Sequence, residues 1–167
     1  MYRAVISKER DLFMYIEIRN ATKNDIRIIA DILNAATQKL LAKGVMQWEY
    51  PWDEETVASF INDFYIVLCD GAAIGCFGLK TYPALTFTED NSGLYFYHLA
   101  VHPDYSGKGL GKEICRWVKE YSENNSINIY LDCWAGNDKL RSFYTDAGYE
   151  YMGDFPEEDY FISAFKV

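Results

Sequence analysis

The pattern of apolar and polar positions changes from strand-like to helix-like along the first part of the chain. From Met14, the run YIEIRNAT alternates apolar and polar residues, as in a strand with one buried face. Thr22 and Asp25 then form a helix-capping pattern, and apolar residues recur at helical spacing towards Gly44. A shorter helix is expected over residues 53–62. This part of the chain therefore predicts one strand followed by two helices.

Three strand-like runs come next, at residues 64–70, 72–81 and 93–102. The first two flank Asp70-Gly71, a dipeptide that suits the positive φ angles of a tight hairpin turn. The other predicted elements are a loop at 82–92, a helix after a glycine-rich turn, a strand at 127–134, a helix at 137–147 and a closing hairpin. Because helices and strands intermix in this order, the pattern predicts a mixed α/β fold.

Length and composition agree with one compact domain. The chain has 167 residues, of which 50% are hydrophobic and 17% aromatic, which is enough for a sizeable core and too apolar for intrinsic disorder. Because the regular pattern begins at Met14, residues 1–13 are predicted to be an N-terminal extension and residues 14–167 to form the domain.

The net charge of the chain bears on whether it binds nucleic acid. There are 16 Lys and Arg residues against 25 Asp and Glu residues, a net charge of −9. So acidic a chain repels phosphates, and no nucleic-acid partner is expected. No apolar run reaches the length of a membrane span, and the first residues carry charges where a signal peptide needs apolar side chains. We therefore expect a cytoplasmic protein with no membrane partner.

The cysteines and histidines point away from disulfide and metal chemistry. The four cysteines are scattered through apolar segments without a C-x-x-C pair, as buried free thiols usually are. Only His98 and His102 are available as imidazole ligands, and no third ligand stands at a recognisable spacing. No metal is expected.

A glycine-rich turn is the strongest chemical signal. Gly107, Gly109 and Gly111 lie between a strand-like run and an amphipathic helix, where backbone amides at the positive end of the helix dipole can hold a phosphate or pyrophosphate. A tight turn without a ligand is the structural alternative. The segment fails as a Walker loop at two positions, and as a dinucleotide fingerprint because Lys112 replaces the last glycine.

The segment YHLAVHPDYSGKGLGKEIC resembles motif A of the Gcn5-related N-acetyltransferase (GNAT) family, in which a strand, a [VI]-x-P and a turn of the form [QR]-x-x-G-x-[GA] open a helix. The matching residues are Val101, His102, Pro103, Gly109 and Gly111. Ser106 replaces the usual Gln or Arg, which removes one side-chain donor and leaves the backbone cradle.

A second segment, NDKLRSFYTDAGY, resembles motif B of the same family. The matching residues are Asn137, Phe143, Tyr144, Gly148 and Tyr149. Leu140 departs from the pattern, because a small residue is common there. The resemblance covers about residues 14–167 and implies the acyl-CoA N-acyltransferase fold, with a mixed, mostly antiparallel central sheet flanked by helices.

The resemblance also implies acetyl-CoA as co-substrate. The residues expected to hold it are Leu99, Ala100 and Val101 beside pantetheine, Gly107, Lys108, Gly109, Leu110, Gly111 and Lys112 around the pyrophosphate, and Asn137. Lys108, Lys112 and Arg116 are spaced by four and form a cationic ridge, although a solvated helix face explains Arg116 equally well. Residues 106–119 carry a net charge of +3 while the rest of the chain carries −12, so the acidity hides a cationic island suited to a polyanion.

The implied reaction is transfer of the acetyl group to a primary amine. In the family the motif-B tyrosine commonly protonates the departing thiolate, and Tyr144 is the matching residue, with a packed core tyrosine as the alternative. An amide near Leu99 is expected to serve the oxyanion. His98, Tyr95 and Tyr97 are all candidates for the base, and none is assigned.

The acceptor is expected to be a small or peptidyl amine, and a cationic one because most of the chain is acidic. Trp48, Glu49 and Trp52, in the segment between the first two helices, are candidates for holding it, unless the tryptophans fill the core. A non-catalytic acyl-CoA-binding or regulatory module on the same fold is the alternative function. A homodimer through the closing hairpin is also considered.

Overall fold

The computed structural model describes residues 2–8, 12–82 and 85–167. The chain divides into two compact units, which are described separately. The first unit runs up to Gly78 and adds His98–Leu110, and the second consists of Leu79–Tyr97 and Gly111–Val167. Strands β4 (Ala72–Thr81) and β5 (Leu94–Val101) contribute residues to both units.

The first unit is an antiparallel set of strands. The strands are β1 (Tyr2–Lys8), β2 (Leu12–Asn20), β3 (Phe64–Cys69) and the first part of β4, neighbours in that order. Asp70 and Gly71 adopt φ angles of 49° and 83°, which confirms the predicted hairpin turn. The backbone N–H of His102 donates to the Ile74 carbonyl at 2.7 Å, beside the end of β5.

Two helices belong to the first unit: α1 (Ile26–Leu41) and α2 (Glu54–Phe60). The predicted capping pattern is present, because the Asp25 carboxylate accepts from the Thr22 N–H at 2.7 Å, and a 3-10 turn over Lys23–Asp25 precedes α1. Gly44 follows α1 with a φ of 74°, as predicted for a helix end.

The second unit combines parallel and antiparallel pairing. Its strands are the first part of β5, β6 (Ile129–Trp134), β8 (Tyr160–Lys166) and β7 (Glu150–Glu157), neighbours in that order. β5 and β6 are parallel, with Leu94 opposite Ile129, and the other pairs are antiparallel. The helices are α3 (Leu110–Asn125), whose first residue is assigned to the first unit, and α4 (Asp138–Asp146).

The predicted elements are present, and the structure adds one strand. β1 lies within the predicted extension and pairs with β2, with Tyr2 opposite Ile18. The sequence offers no sign of this, because the pattern becomes regular only at Met14. Positions 1, 9–11 and 83–84, which belong to the predicted extension and loop, lie outside the described residues. The division of the chain at residue 14 stays a prediction.

Candidate functional site

The glycine turn has the backbone that its sequence requires. Gly107 and Gly109 adopt φ angles of 78° and 80°, in the left-handed region that favours glycine. Apart from the glycine and its two chain neighbours, no described atom would lie within 4 Å of a Cβ at either position. α3 begins at Leu110 immediately afterwards. The first amides of a helix have no intrahelical acceptor and lie at the positive end of the dipole. The turn therefore offers open space beside donors for an anion.

The third glycine has a different structural reason. A Cβ on Gly111 would lie 3.2 Å from the Phe143 Cζ, closer than side chains normally pack. Gly111 therefore allows α3 to approach the Phe143 ring on α4.

Ser106, the departure from motif A, is anchored by two hydrogen bonds. Its hydroxyl donates to the Pro103 carbonyl at 2.7 Å and accepts from the Lys39 ammonium at 2.6 Å. Lys39 belongs to α1 and brings a positive charge to the start of the turn. No sequence pattern indicates a role for Lys39 here, because 67 positions separate it from Ser106.

The three residues of the predicted cationic ridge differ in their surroundings. The Lys108 ammonium lies 4.8 Å from the centroid of the Tyr105 ring, and Lys112 is exposed. Arg116 pairs with Glu113 and Glu120 on its own helix. Its charge is therefore balanced by neighbours, which favours the solvated helix face considered for it.

The strand that carries Leu99, Ala100 and Val101 contains an irregular residue. His98 has a φ of 50°, which is unusual for a residue other than glycine. The inward and outward alternation breaks there, since Phe96 and Tyr97 are both buried. A prediction of which side chains share a face therefore fails at His98, because strand alternation assumes extended backbone at every residue.

The His98 ring lies in an aromatic cluster of the first unit. Its centroid is 4.9 Å from that of Trp52 and 5.7 Å from that of Trp48. The Trp52 indole N–H donates to the Thr37 hydroxyl at 3.0 Å, and Asn34 accepts the Trp52 backbone N–H at 2.8 Å. Trp52 is 9% exposed, so it fills the contact between α1 and the chain before α2.

Tyr144 is buried on α4 and differs from the tyrosine stacked on it. The rings of Tyr144 and Tyr149 are parallel within 5°, with centroids 5.9 Å apart. The Tyr149 hydroxyl donates to the Cys115 carbonyl at 2.8 Å, whereas the Tyr144 hydroxyl bonds to none of the described residues. Burial, and then Cys115, Cys133 and Asp132, raise the pKa of Tyr144 well above its ordinary value. Its phenol therefore stays protonated and available as a donor.

The other two tyrosines considered for the base lie on β5. The Tyr95 hydroxyl donates to Asp132 at 2.8 Å, and burial followed by this carboxylate raises the pKa of Tyr95 far above its ordinary value. A phenol so hard to ionise is a poor base. The Lys80 ammonium lies 4.4 Å from the centroid of the Tyr97 ring.

Asn137 begins α4. Its side-chain carbonyl accepts the Leu140 backbone N–H at 3.0 Å, as in a helix cap. Of the predicted coenzyme residues, the first unit contains Leu99, Ala100, Val101, Gly107, Lys108, Gly109 and Leu110, and the second contains Gly111, Lys112 and Asn137.

The cysteines are free and buried, as predicted. Within the described ranges, no three His, Cys, Asp or Glu side chains are grouped so that they could hold a metal ion. None of the helices in the part of the chain that the structure describes is long and apolar enough to cross a membrane.

Several solved structures that match this fold are acetyltransferases. A GNAT-family acetyltransferase from Listeria monocytogenes matches with a TM-score of 0.77 at 19% identity, over 98% of this chain and 100% of that one. The aminoglycoside acetyltransferase AAC(6')-Ib, solved with coenzyme A and kanamycin, matches with a TM-score of 0.73 at 18% identity, over 91% of this chain and 94% of that one. The predicted fold class is confirmed.

The chain belongs to the acetyltransferase (GNAT) family, whose model matches residues 32–149. The uncharacterized N-acetyltransferase YesJ of Bacillus subtilis is 40% identical over 63 residues, which are 36% of this chain and 34% of that relative, so the match spans about a third of the relative's length. An uncharacterized N-acetyltransferase of Lactobacillus delbrueckii subsp. lactis is 26% identical over 84% of this chain and 79% of its own length.

The turn fits the coenzyme that this family uses. Side chains at Gly107 and Gly109 would enter the open space beside the amides, and Lys108 and Lys39 add positive charge in the same unit. These are the features that a pyrophosphate requires.

Proposed function

We propose that this protein transfers the acetyl group of acetyl-CoA to a primary amine by direct attack of the amine on the thioester. The observation that carries the proposal is the contrast between the stacked tyrosines. The fold uses the hydroxyl of Tyr149 and leaves that of Tyr144 without a partner among the described residues. A buried, protonated phenol with no structural partner is suited to give its proton to a departing group.

The family pattern and the local geometry support the set of residues that we propose for the coenzyme. The backbone of Leu99, Ala100 and Val101 offers main-chain groups to pantetheine, in the manner of an added strand. The amides of residues 107–112 hold the pyrophosphate, assisted by Lys108 and Lys112. The Asn137 side chain has its carbonyl engaged in the cap, so its NH₂ is the group that it offers to the coenzyme.

The reaction requires a neutral amine, a stabilised oxyanion and a proton for the thiolate. The amine nitrogen attacks the carbonyl carbon of the acetyl group. The C–N bond forms and the C–S bond of the thioester breaks. A main-chain amide near Leu99 donates to the oxyanion. Tyr144 gives its phenolic proton to the departing sulfur, and the phenolate regains a proton from the ammonium formed by the attack, through water.

The acceptor is a small-molecule or peptidyl amine, and a cationic one. The remainder of the chain outside residues 106–119 carries a charge of −12, which attracts an ammonium compound and repels an anion. Glu49 is exposed in the segment before α2, whereas Trp52 is engaged in packing against α1. A cytoplasmic location and a homodimer remain predictions.

Replacing Tyr144 by Phe tests the proposal. Thiol release from acetyl-CoA is measured over a panel of aliphatic, aromatic and peptidyl amines, at saturating concentrations of both substrates. For the amine with the highest wild-type turnover, Tyr144→Phe is expected to lower kcat by about 100-fold or more, with unchanged coenzyme affinity. Tyr149→Phe is the matched control, because it removes the neighbouring hydroxyl. Unchanged turnover in Tyr144→Phe would remove the tyrosine from its role, and tight coenzyme binding without turnover across the panel would favour the non-catalytic module.

A further inference from the structure

The second unit contains a cleft with acidic and aromatic walls. Its volume is about 180 Å³, and Asp132 from β6 and Glu157 from β7 both line it. Three tyrosines, Tyr82, Tyr95 and Tyr160, also line it. All five side chains belong to one compact unit.

Among the described residues, neither carboxylate of the cleft has a positive partner. Asp132 accepts one hydrogen bond, from the Tyr95 hydroxyl at 2.8 Å, and Glu157 accepts a longer one from Thr86 at 3.4 Å. No basic side chain in the described residues forms an ion pair with either. Burial raises the pKa of Asp132, and the charge of Glu157 raises it further. A cation bound in the cleft would stabilise the charged form of Asp132, because it would compensate for the lost hydration of this carboxylate and for its repulsion by Glu157.

The tyrosine rings of this region already bind an ammonium group. The Lys80 ammonium lies 5.2 Å from the centroid of the Tyr82 ring, within the range of a cation–π contact. The Tyr82 and Tyr95 rings are neighbours, with centroids 5.4 Å apart. The walls therefore combine electron-rich ring faces with negative charge, the two features that attract an organic cation.

The size and charge of the cleft favour a small cation over an anion or a neutral molecule. Two carboxylates repel an anion at close range. A volume of about 180 Å³ holds a short aliphatic chain and its charged head, since a single water takes roughly 30 Å³ of liquid. A neutral ligand of the same size would leave the carboxylates uncompensated.

We propose that the cleft between Asp132 and Glu157 binds an ammonium group of the amine acceptor, with the rings of Tyr82, Tyr95 and Tyr160 around its aliphatic part. The proposal rests on the proposed function and names the feature of the acceptor that the protein recognises. Both carboxylates act in binding and orientation, and no step of acetyl transfer is assigned to them.

The test is direct binding of n-butylammonium to the protein saturated with coenzyme A, which lacks the acetyl group and permits no turnover. Butyrate and 1-butanol are the anionic and neutral probes of the same length. Butylammonium is expected to bind and to shift the NMR signals of the tyrosine rings, and the other two probes are expected not to bind. Equal binding of the three probes, or no binding of butylammonium, would overturn the proposal.

Three variants locate the binding. Asp132→Asn is expected to weaken butylammonium binding by about tenfold or more, and Glu157→Gln by a smaller factor. Glu150→Gln is the matched control, because Glu150 is an exposed glutamate on β7, the strand that carries Glu157. The Glu150→Gln variant should bind butylammonium with wild-type affinity. Wild-type affinity in both cleft variants would contradict the proposal.

A charge reversal guards against loss of folding in Asp132→Asn. Glu157 is only partly buried at the end of β7, so Glu157→Lys leaves the core intact. It is expected to abolish butylammonium binding while thermal unfolding remains cooperative. Retained binding in this folded variant would overturn the proposal.

Failure of the cation site and failure of the proposed acetyltransferase function give different experimental results. If amines release thiol from acetyl-CoA but KM is unaffected in the cleft variants, the cleft proposal fails and the acetyltransferase stands. If butylammonium binds through Asp132 but no amine releases thiol, the proposed function fails and the cation site stands.

Discussion

Two buried or partly buried carboxylates, one in each compact unit, have opposite surroundings. Asp25, at the start of α1, receives two hydrogen bonds from the Arg19 guanidinium at 2.9 Å and further ones from Thr22. These partners, Arg19 first, lower the pKa of Asp25 to about 2. Asp132, on β6, accepts a hydrogen bond from the Tyr95 hydroxyl and has no basic partner among the described residues, and burial raises its pKa.

The difference separates a structural charge from one that the fold leaves uncompensated. Arg19 and Thr22 fix the corner that begins α1, so Asp25 contributes to stability. Asp132 loses hydration without gaining a cation, so it stabilises the folded chain little or opposes it. A carboxylate in such surroundings is suited to bind a cationic ligand.

The largest expected effect concerns the stability of two conservative variants. Asp25→Asn should lower the free energy of unfolding by about 3 kcal/mol, because it breaks a bidentate ion pair that is partly buried. Asp132→Asn should change it by less than about 1 kcal/mol in either direction, because the amide carbonyl still accepts from Tyr95 and the desolvated charge is gone. Urea unfolding measures both values. Equal losses would remove the distinction.

The pH dependence of stability should differ in sign between the two carboxylates. Asp25 has a lowered pKa, so its contribution is present above the ordinary value near 4 and is lost as the pH falls through about 2, by about 1 kcal/mol after screening by solvent. Asp132 has a raised pKa, so stability is lost as the pH rises from the ordinary value through the raised one. The free energy of unfolding is measured across pH 2–7 for the wild type, Asp25→Asn and Asp132→Asn. Asp25→Asn should remove the loss of stability at low pH, and Asp132→Asn should remove the loss as the pH rises. The same change of pH dependence in both variants would contradict the comparison.

A smaller effect is expected from Tyr95→Phe, which removes the hydroxyl that donates a hydrogen bond to Asp132. The pKa of Asp132 should rise further, because the hydroxyl stabilises the charged form. The free energy of unfolding should fall by about 1 kcal/mol or less. An NMR titration of the Asp132 carboxyl carbon follows the pKa, and a lower value in the variant would show that the hydroxyl does not support the carboxylate.

The smallest effect is expected from Glu157→Gln. Removing the neighbouring negative charge should lower the pKa of Asp132, while the free energy of unfolding changes by no more than about 0.5 kcal/mol. The same titration measures the shift. Glu150→Gln should leave the titration of Asp132 unchanged, and an equal shift in both variants would point to a general effect of net charge.

Local patterns allowed much of the fold to be predicted. The Thr22 and Asp25 cap, the Asp70-Gly71 turn and the glycine turn before α3 each depend on a few adjacent residues, and all are present. β1 was not predictable, because a strand preceding the regular pattern is defined only by its pairing with β2.

The candidate site could be proposed from the sequence only where one segment defines it. The turn and Tyr144 follow from two contiguous motifs, but the Lys39 contact with Ser106 and the Tyr95 contact with Asp132 join residues that are 67 and 37 positions apart. The positive φ angle of His98 also breaks the rule that successive residues of a strand face opposite sides of the sheet. A single sequence carries no record of such contacts, since they depend on how the elements pack.

The most direct measurement of the central claim is the fate of the acetyl group. The protein is incubated with acetyl-CoA labelled with ¹³C in the acetyl group and with the panel of amines, and the products are identified by NMR and mass spectrometry. We predict labelled N-acetyl amine in amounts equal to the free thiol, with cationic amines preferred, and little product from Tyr144→Phe. Absence of labelled N-acetyl product from every amine, in a protein that binds the coenzyme, would contradict the account.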